Sequence, residues 1–233
     1  MFEKYLERIN GIAEFLARTP HPDQVVDFLT GNISPIDEVS VSFRGVVDPD
    51  GTIRCENIQG FSKKEVITTT SFHLSENRPI SVAARTQKIT WAYSATVKDE
   101  FPDFFHFDKF TPWQSMVVIP VGLIRVYGFS FPTDHRNREG INSYIDAISS
   151  LLKVYESAWD LRSTVGARSY IEESELQPLS ERQTRILDYL KDGKTNKEIA
   201  DLIDYSESLV RHETMIIYKK LRVEGRHQLR ERV

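Results

Sequence analysis

The chain has 233 residues, 40% of them hydrophobic and 27% charged, which gives room and apolar content for two modest domains and argues against disorder. The formal net charge of −4 does not by itself point to nucleic acid, but it is unevenly spread: residues 1–178 sum to −6 and residues 179–233 to +2. One cysteine, Cys55, excludes an intrachain disulfide and a cysteine-based zinc site, and suits a reducing compartment.

The N-terminal Met1-Phe2-Glu3-Lys4 opens an amphipathic pattern rather than a signal-peptide core. Phe2, Tyr5, Leu6, Ile9, Ile12, Ala13 and Leu16 recur at helical spacing and predict a helix that ends before Pro20. Asp23–Leu29 predicts a second, short helix. In Glu38–Val47 the apolar Val39, Val41 and Phe43 alternate with Ser40, Ser42 and Arg44, the period of a half-buried strand. Asp48-Pro49-Asp50-Gly51 then forms a turn, and Thr52–Gln59 returns as the antiparallel partner. A long mixed segment, Phe61–Thr111, holds a short strand at Ile89–Tyr93. Gln114–Val121 and Ile124–Phe131 make a further hairpin around Gly122, whose apolar run is too short and too interrupted by Pro120 and Gly122 to cross a bilayer. A helix from about Asn142 to Leu161 closes the segment. The expectation is a cytoplasmic protein with no membrane segment.

This order predicts an α+β front domain, residues 1–161, with an antiparallel sheet sandwiched between helices. Its segments Pro79–Arg85 (a short helix after the crossover), Ile89–Tyr93, Glu100-Phe101-Pro102, Gln114–Val121 and Arg125–Phe131, with the central Gly128, resemble those of GAF sensory domains. The resemblance implies a ligand pocket between sheet and crossover segment, and thus a small-molecule effector. Among the aromatics of that region, Trp91, Tyr93, Phe101, Phe105 and Trp113, with Asp108 and Ser115 as polar handles, are the candidate ligand residues; the plainer reading makes most of them core. A protein-interaction module without a small ligand is the alternative of another class. No Ser-His-Asp, paired-carboxylate or phosphate-loop arrangement supports an enzyme. Isolated His73 and His106 make no metal site, and no cofactor is expected.

The closing helix places Ile141, Ile145, Ile148, Leu152, Tyr155 and Trp159 at four-three-four-three-four spacing. That is a coiled-coil seam, and it predicts a homodimer if part of it is not spent on the helix's own sheet. Residues 162–178, with Gly166, Pro178 and the acidic Glu172, Glu173 and Glu175, read as a linker.

Residues 179–233 predict three helices from start signals alone. Ser180-Glu181-Arg182-Gln183 and Thr195-Asn196-Lys197-Glu198 are capping boxes, Gly193 suits a left-handed helix end, and Ser206 offers a third N-cap. The third helix buries a stripe of Val210, Thr214, Ile217 and Leu221 and leaves Ser208, His212, Met215 and Lys219 outward, with Arg211 on the flank. The run Leu179-Ser180-Glu181-Arg182, Gly193-Lys194-Thr195-Asn196-Lys197-Glu198-Ile199-Ala200, Ser206 to Arg211 and Lys220-Leu221-Arg222-Val223 resembles the LuxR-type helix-turn-helix domain, also found in NarL-type response regulators. The resemblance implies a small all-α domain that binds double-stranded DNA. Arg211, His212 and Met215 are the candidate base-edge residues; Thr195, Asn196, Lys197, Ser206, Ser208, Lys219 and Lys220 are the candidate phosphate contacts. Gln183, Leu209, Glu213 and Ile216 depart from the family's usual residues, and Glu213 projects to the edge of the buried face. The acyl-homoserine-lactone receptors of the same family are an alternative, but their Trp-x-x-x-Tyr and Asp-Pro series cannot be placed here: Asp108 is followed by Lys109. A phosphoacceptor receiver is excluded because Asp48 and Asp50 belong to a hairpin turn.

Overall fold

The computed structural model describes residues 2–34, 37–60, 71–104, 113–164, 179–221, 223 and 225–231. Helices α1 (Phe2–Ala17) and α2 (Pro22–Asn32) lead into the hairpin β1 (Val41–Val47) and β2 (Thr52–Gln59). Then come β3 (Ser71–His73), α3 (Pro79–Thr86), β4 (Thr90–Tyr93) and α4 (Val97–Glu100). The hairpin β5 (Ser115–Val121) and β6 (Arg125–Phe131) and the long helix α5 (Ile141–Thr164) complete the front domain. Four helices follow: α6 (Glu181–Lys191), α7 (Asn196–Ile203), α8 (Glu207–Leu221) and α9 (Arg226–Glu231). Three of these fifteen elements, β3, α4 and α9, have no counterpart in the sequence reading; each is six residues or shorter, too short to show a period.

The six strands form one antiparallel sheet in the order β3-β2-β1-β6-β5-β4. Its two faces carry separate cores. Val117, Ile119 and Val121 of β5 and Tyr127, Phe129 and Phe131 of β6 pack against α1, α2 and α5. The alternate residues Met116, Val118 and Val126, with Phe43 and Ile53, pack against Ile80, Ala83 and Ala84 of α3 and against Val97, Phe101, Phe104 and Trp113. Both faces are covered, so β1 is buried along both sides rather than half-buried as its alternation suggests, and Ser42 and Arg44 lie inside. On the α3 side a methyl at Gly128 would overlap the Phe43 ring directly across the β1–β6 ladder, so only glycine lets that ring lie flat on the sheet.

The buried Arg44 is balanced by Glu156 of α5, 3% exposed, whose Oε1 accepts from Arg44 Nε at 2.9 Å and from the Tyr127 hydroxyl at 2.6 Å. Arg125 pairs with the other Glu156 oxygen at 3.1 Å and with Asp160 at 2.6 Å. Burial would lower the Arg44 pKa, but Glu156 more than offsets this and raises it. This network ties the middle of the sheet to the last turns of α5.

The C-terminal helices enclose their own core of Ile186, Leu187, Leu190, Ile199, Val210, Ile217, Val223 and Leu229. No helix among the described residues is long and apolar enough to cross a membrane.

Candidate DNA-binding surface

Local signals position the surface. The Ser180 hydroxyl accepts the Gln183 amide, and the Gln183 side chain accepts the Ser180 amide; Thr195 and Glu198 repeat the arrangement at α7. At the end of α6, Gly193 (φ 83°) allows its own N–H to donate to Leu190 and that of Lys194 to donate to Tyr189, which satisfies two otherwise free carbonyls. Ser206 caps α8, its hydroxyl accepting the Leu209 amide at 3.2 Å. Val210, Thr214 and Ile217 turn inward as the stripe predicts.

The outward face of α8 carries Ser208, Arg211 and Met215, the last two with 66% and 60% exposure. Arg211 is held by Glu207 one turn earlier at 2.8 Å. His212 on the same face is half-buried. Of the residues expected at phosphates, Lys197 and Ser208 are exposed. The Thr195 hydroxyl is engaged in its cap, and Asn196 Oδ1 accepts from Arg226 at 3.2 Å. Lys220 is half-buried and its ammonium donates to Gln183 Oε1 at 2.9 Å. The side chain of Lys219 lies outside the described residues.

Glu213 is buried, at 2% exposure, and receives hydrogen bonds from Arg182 and, at 3.0 Å, from Gln183. It therefore faces the bundle and not the groove. Sequence reading missed Arg182 as its partner; two charges thirty-one residues apart on different helices leave no periodic mark.

The expected ligand residues do not form one site. Trp91 and Tyr93 stack with ring centroids 6.1 Å apart, and Trp91 packs on the α1–α2–α5 side with His135. Ser115, on the same side, donates to the Thr133 carbonyl at 2.7 Å. Phe101 and Trp113 lie on the opposite, α3 side. Phe101 and Trp113 lie in the connections outside the strands, which fold over the α3 side, and Phe105 and Asp108 fall outside the described residues. Cys55 is half-buried beside the α3-side core, and burial pushes its thiol up to about 12.

The expected dimer seam is also corrected. Ile141, Ile145, Ile148, Leu152 and Tyr155 are all buried in the core beneath α5, with Trp159 packed at its edge against His21. A sheet and two helices offer enough apolar area to absorb the whole stripe. The apolar side chains that α5 leaves exposed are Val154 and Leu161, one heptad apart, at 71% and 73%; α1 adds Phe2 and Leu6.

Comparison with known proteins gives matches of two kinds. Residues 177–232 match the family model described as bacterial regulatory proteins, luxR family. No curated protein sequence matches the chain. Among solved structures, the GAF domain of Acinetobacter phosphoenolpyruvate-protein phosphotransferase aligns over 69% of this chain and 97% of its own, at TM-score 0.53 and 13% identity. The A. aeolicus nlh2 GAF domain in an inactive state aligns over 68% and 97%, at TM-score 0.51 and 16% identity. Escherichia coli SdiA aligns over 95% of this chain and 94% of its own at TM-score 0.43 and 13% identity, too distant to bear on the argument. The front domain has a GAF-like fold, and the C-terminal region is a luxR-family helix-turn-helix domain.

Proposed function

We propose that this chain, a luxR-family helix-turn-helix behind a GAF-like domain, is a transcriptional regulator that binds double-stranded DNA in a sequence-specific way. The observation that carries the reading is the outward face of α8. Ser208 and Arg211 on the first half of the helix and Met215 just past its middle are exposed, while Val210, Thr214 and Ile217 on the other face are buried in the core. A recognition helix needs this division: one face fixes the helix to its domain, the other enters the major groove with its N-terminal residues at base edges. Arg211 is the principal base reader, since a guanidinium pairs with guanine O6 and N7 through two hydrogen bonds. His212 and Met215 flank it, and Lys197 and Ser208 lie where phosphate contacts would set the register.

The low positive balance of the C-terminal domain favours binding as a homodimer, which doubles the phosphate contacts and adds a second half-site. Phe2 and Leu6 of α1 with Val154 and Leu161 of α5 are the surface on which the front domains would pair. The GAF-like domain is the receiver of a small-molecule effector in this reading, and the protein works in the cytoplasm without catalysis.

An unbiased selection from random double-stranded DNA with the full chain tests the proposal. One enriched motif, bound by the full chain in anisotropy titrations, is the expected result. Arg211→Ala should then weaken binding to that motif by about 1–3 kcal/mol and relax one base position. Uniform, motif-free enrichment would overturn the reading.

A further inference from the structure

A cleft of about 200 Å³ opens beside the β1–β2 turn, with Asp50, Gly51 and His73 on one wall and Glu181, Arg182 and Arg185 of α6 on the other. Hydrogen-bond donors converge on Gly51. The Arg182 side chain is nine-tenths buried, and its Nη2 is engaged by Glu213 and, at 3.3 Å, by the Pro49 carbonyl. Its Nε and Nη1 have no acceptor among the described residues. Unmet N–H groups on a buried guanidinium are unfavourable, so an acceptor from outside the chain is stabilised there.

His73 offers the second donor. Its Nδ1 accepts the Ser75 amide at 3.2 Å, so the proton of the neutral ring sits on Nε2. That N–H has only a long contact, 3.4 Å, to the Asp50 carbonyl. A Cβ at residue 51 would stand 3.0 Å from His73 Nε2 and 3.7 Å from Arg182 Nη1, so the two donors flank a face that glycine leaves bare. The φ of 93° at Gly51 keeps glycine in that position. A carboxylate, with one oxygen for each donor, suits such a face.

Charge narrows the class of carboxylate. Arg182 and Arg185 are set against Asp50, Glu181 and the Glu213 that pairs with Arg182. The Thr52 amide, donating to Asp50 at 2.8 Å, holds that carboxyl below its ordinary range, so it is an anion at neutral pH. Three carboxylates around two guanidiniums leave no surplus of positive charge for a phosphate dianion. A ligand that carries an ammonium beside its carboxylate brings no net charge, and Asp50 and Glu181 can accept from the ammonium. Size narrows it further. The cleft has the volume of about seven waters, which suits a short side chain lying against Ile203 and Tyr205 at the apolar end.

We propose that this cleft binds a free α-amino acid with a short side chain, its carboxylate over Gly51 between His73 Nε2 and Arg182 Nη1, and its ammonium toward Asp50 and Glu181. The site is separate from the outward face of α8. It does not rest on DNA binding, so either reading can fail without the other.

A thermal-shift screen of the full chain against the common L-amino acids at about 10 mM, followed by calorimetry, tests the assignment. A small amino acid should bind at one site. Acetate, methylamine and inorganic phosphate should each bind at least about tenfold more weakly, because each offers only part of the complementary charge. His73→Phe keeps a ring and removes the Nε2 donor; it should weaken the amino acid about five- to tenfold, the scale of one hydrogen bond to a charged group. Asp50→Asn keeps a turn-forming residue and should weaken the amino acid while narrowing its advantage over acetate. Both positions are exposed, and a ligand-free melt checks that each variant is folded; if one is not, the other decides. Binding by no amino acid, tighter binding of acetate or phosphate than of any amino acid, or an affinity that a folded variant leaves unchanged would overturn the assignment.

Discussion

Glu213 lies on the inner face of α8 with both carboxylate oxygens taken, one by Arg182 and one by Gln183. Arg182 is itself only 9% exposed, so the ion pair is buried on both sides. Such a pair adds little net stability over an apolar alternative, but removing one partner strands a buried charge. Glu213→Ala should therefore destabilise the helix-turn-helix by about 3 kcal/mol, read as faster hydrogen exchange across α6 to α8 in the full chain, with the front domain unaffected. The departures at 183 and 213 belong together: Gln183 donates to the carboxylate at 213 and accepts from Lys220. Glu213 could be placed near the buried face from its helical angle, but its partner could not, because helix spacing says nothing about which helix packs opposite.

At the scale of elements, α5 and β1 show why burial on two sides is hard to read. The four-three stripe of α5 is real, yet the same spacing serves a coiled coil and a helix laid on a sheet. Tertiary packing decides between them, and here the sheet takes the stripe from Ile141 to Tyr155. Likewise the alternation in β1 marks Ser42 and Arg44 as outward, and outward would be solvent if α2 and α5 did not cover that face. Arg44 then needs an anion, and Glu156 of α5 provides it. Glu156→Gln should cost the front domain about 3 kcal/mol in urea unfolding, because Arg44 and Arg125 lose a shared buried counter-charge; a change below about 0.5 kcal/mol would remove the network from the account of stability. Gly128→Ala tests the other face: forcing the Phe43 ring off the sheet should cost about 1–3 kcal/mol, and Phe43→Leu in the same chain should recover part of it.

For the whole molecule, acid should weaken the front domain in two steps of the same sign. His135 is 2% exposed and lies against Asp37 at 3.3 Å. Burial lowers its pKa below the ordinary 6.5 by more than Asp37 raises it. The unfolded chain thus takes up the proton first, and stability present above about pH 6.5 is lost as pH falls toward the folded value. Burial would raise Asp37, but hydrogen bonds from Ser34 and Thr133 and the neighbouring His135 outweigh it and hold the carboxyl below 3.8, which adds a further loss at lower pH. Thermal melts between pH 7.5 and 5 should fall for wild type and flatten for His135→Gln; parallel curves would exclude His135. Light scattering tests the pairing surface at the same scale: a homodimer that becomes monomeric in Val154→Asp is the expected outcome.

The sequence by itself determined the longer elements and the likeness of the C-terminal domain to the luxR family. Capping boxes at Ser180 and Thr195, the glycine at 193 and the inward stripe of α8 are local, short-range chemistry, and local chemistry is written along the chain. The hairpins and the two-domain division were legible for the same reason, since turns and periods need only neighbouring residues. What only the tertiary structure decided is which faces meet: Trp91, Tyr93 and Ser115 on one side of the sheet and Phe101 and Trp113 on the other, the α5 stripe against its own sheet, Arg44 on Glu156, and Arg182 beside His73 at Gly51. Each joins residues distant along the chain, and no periodicity in one segment specifies the surface that another brings to it.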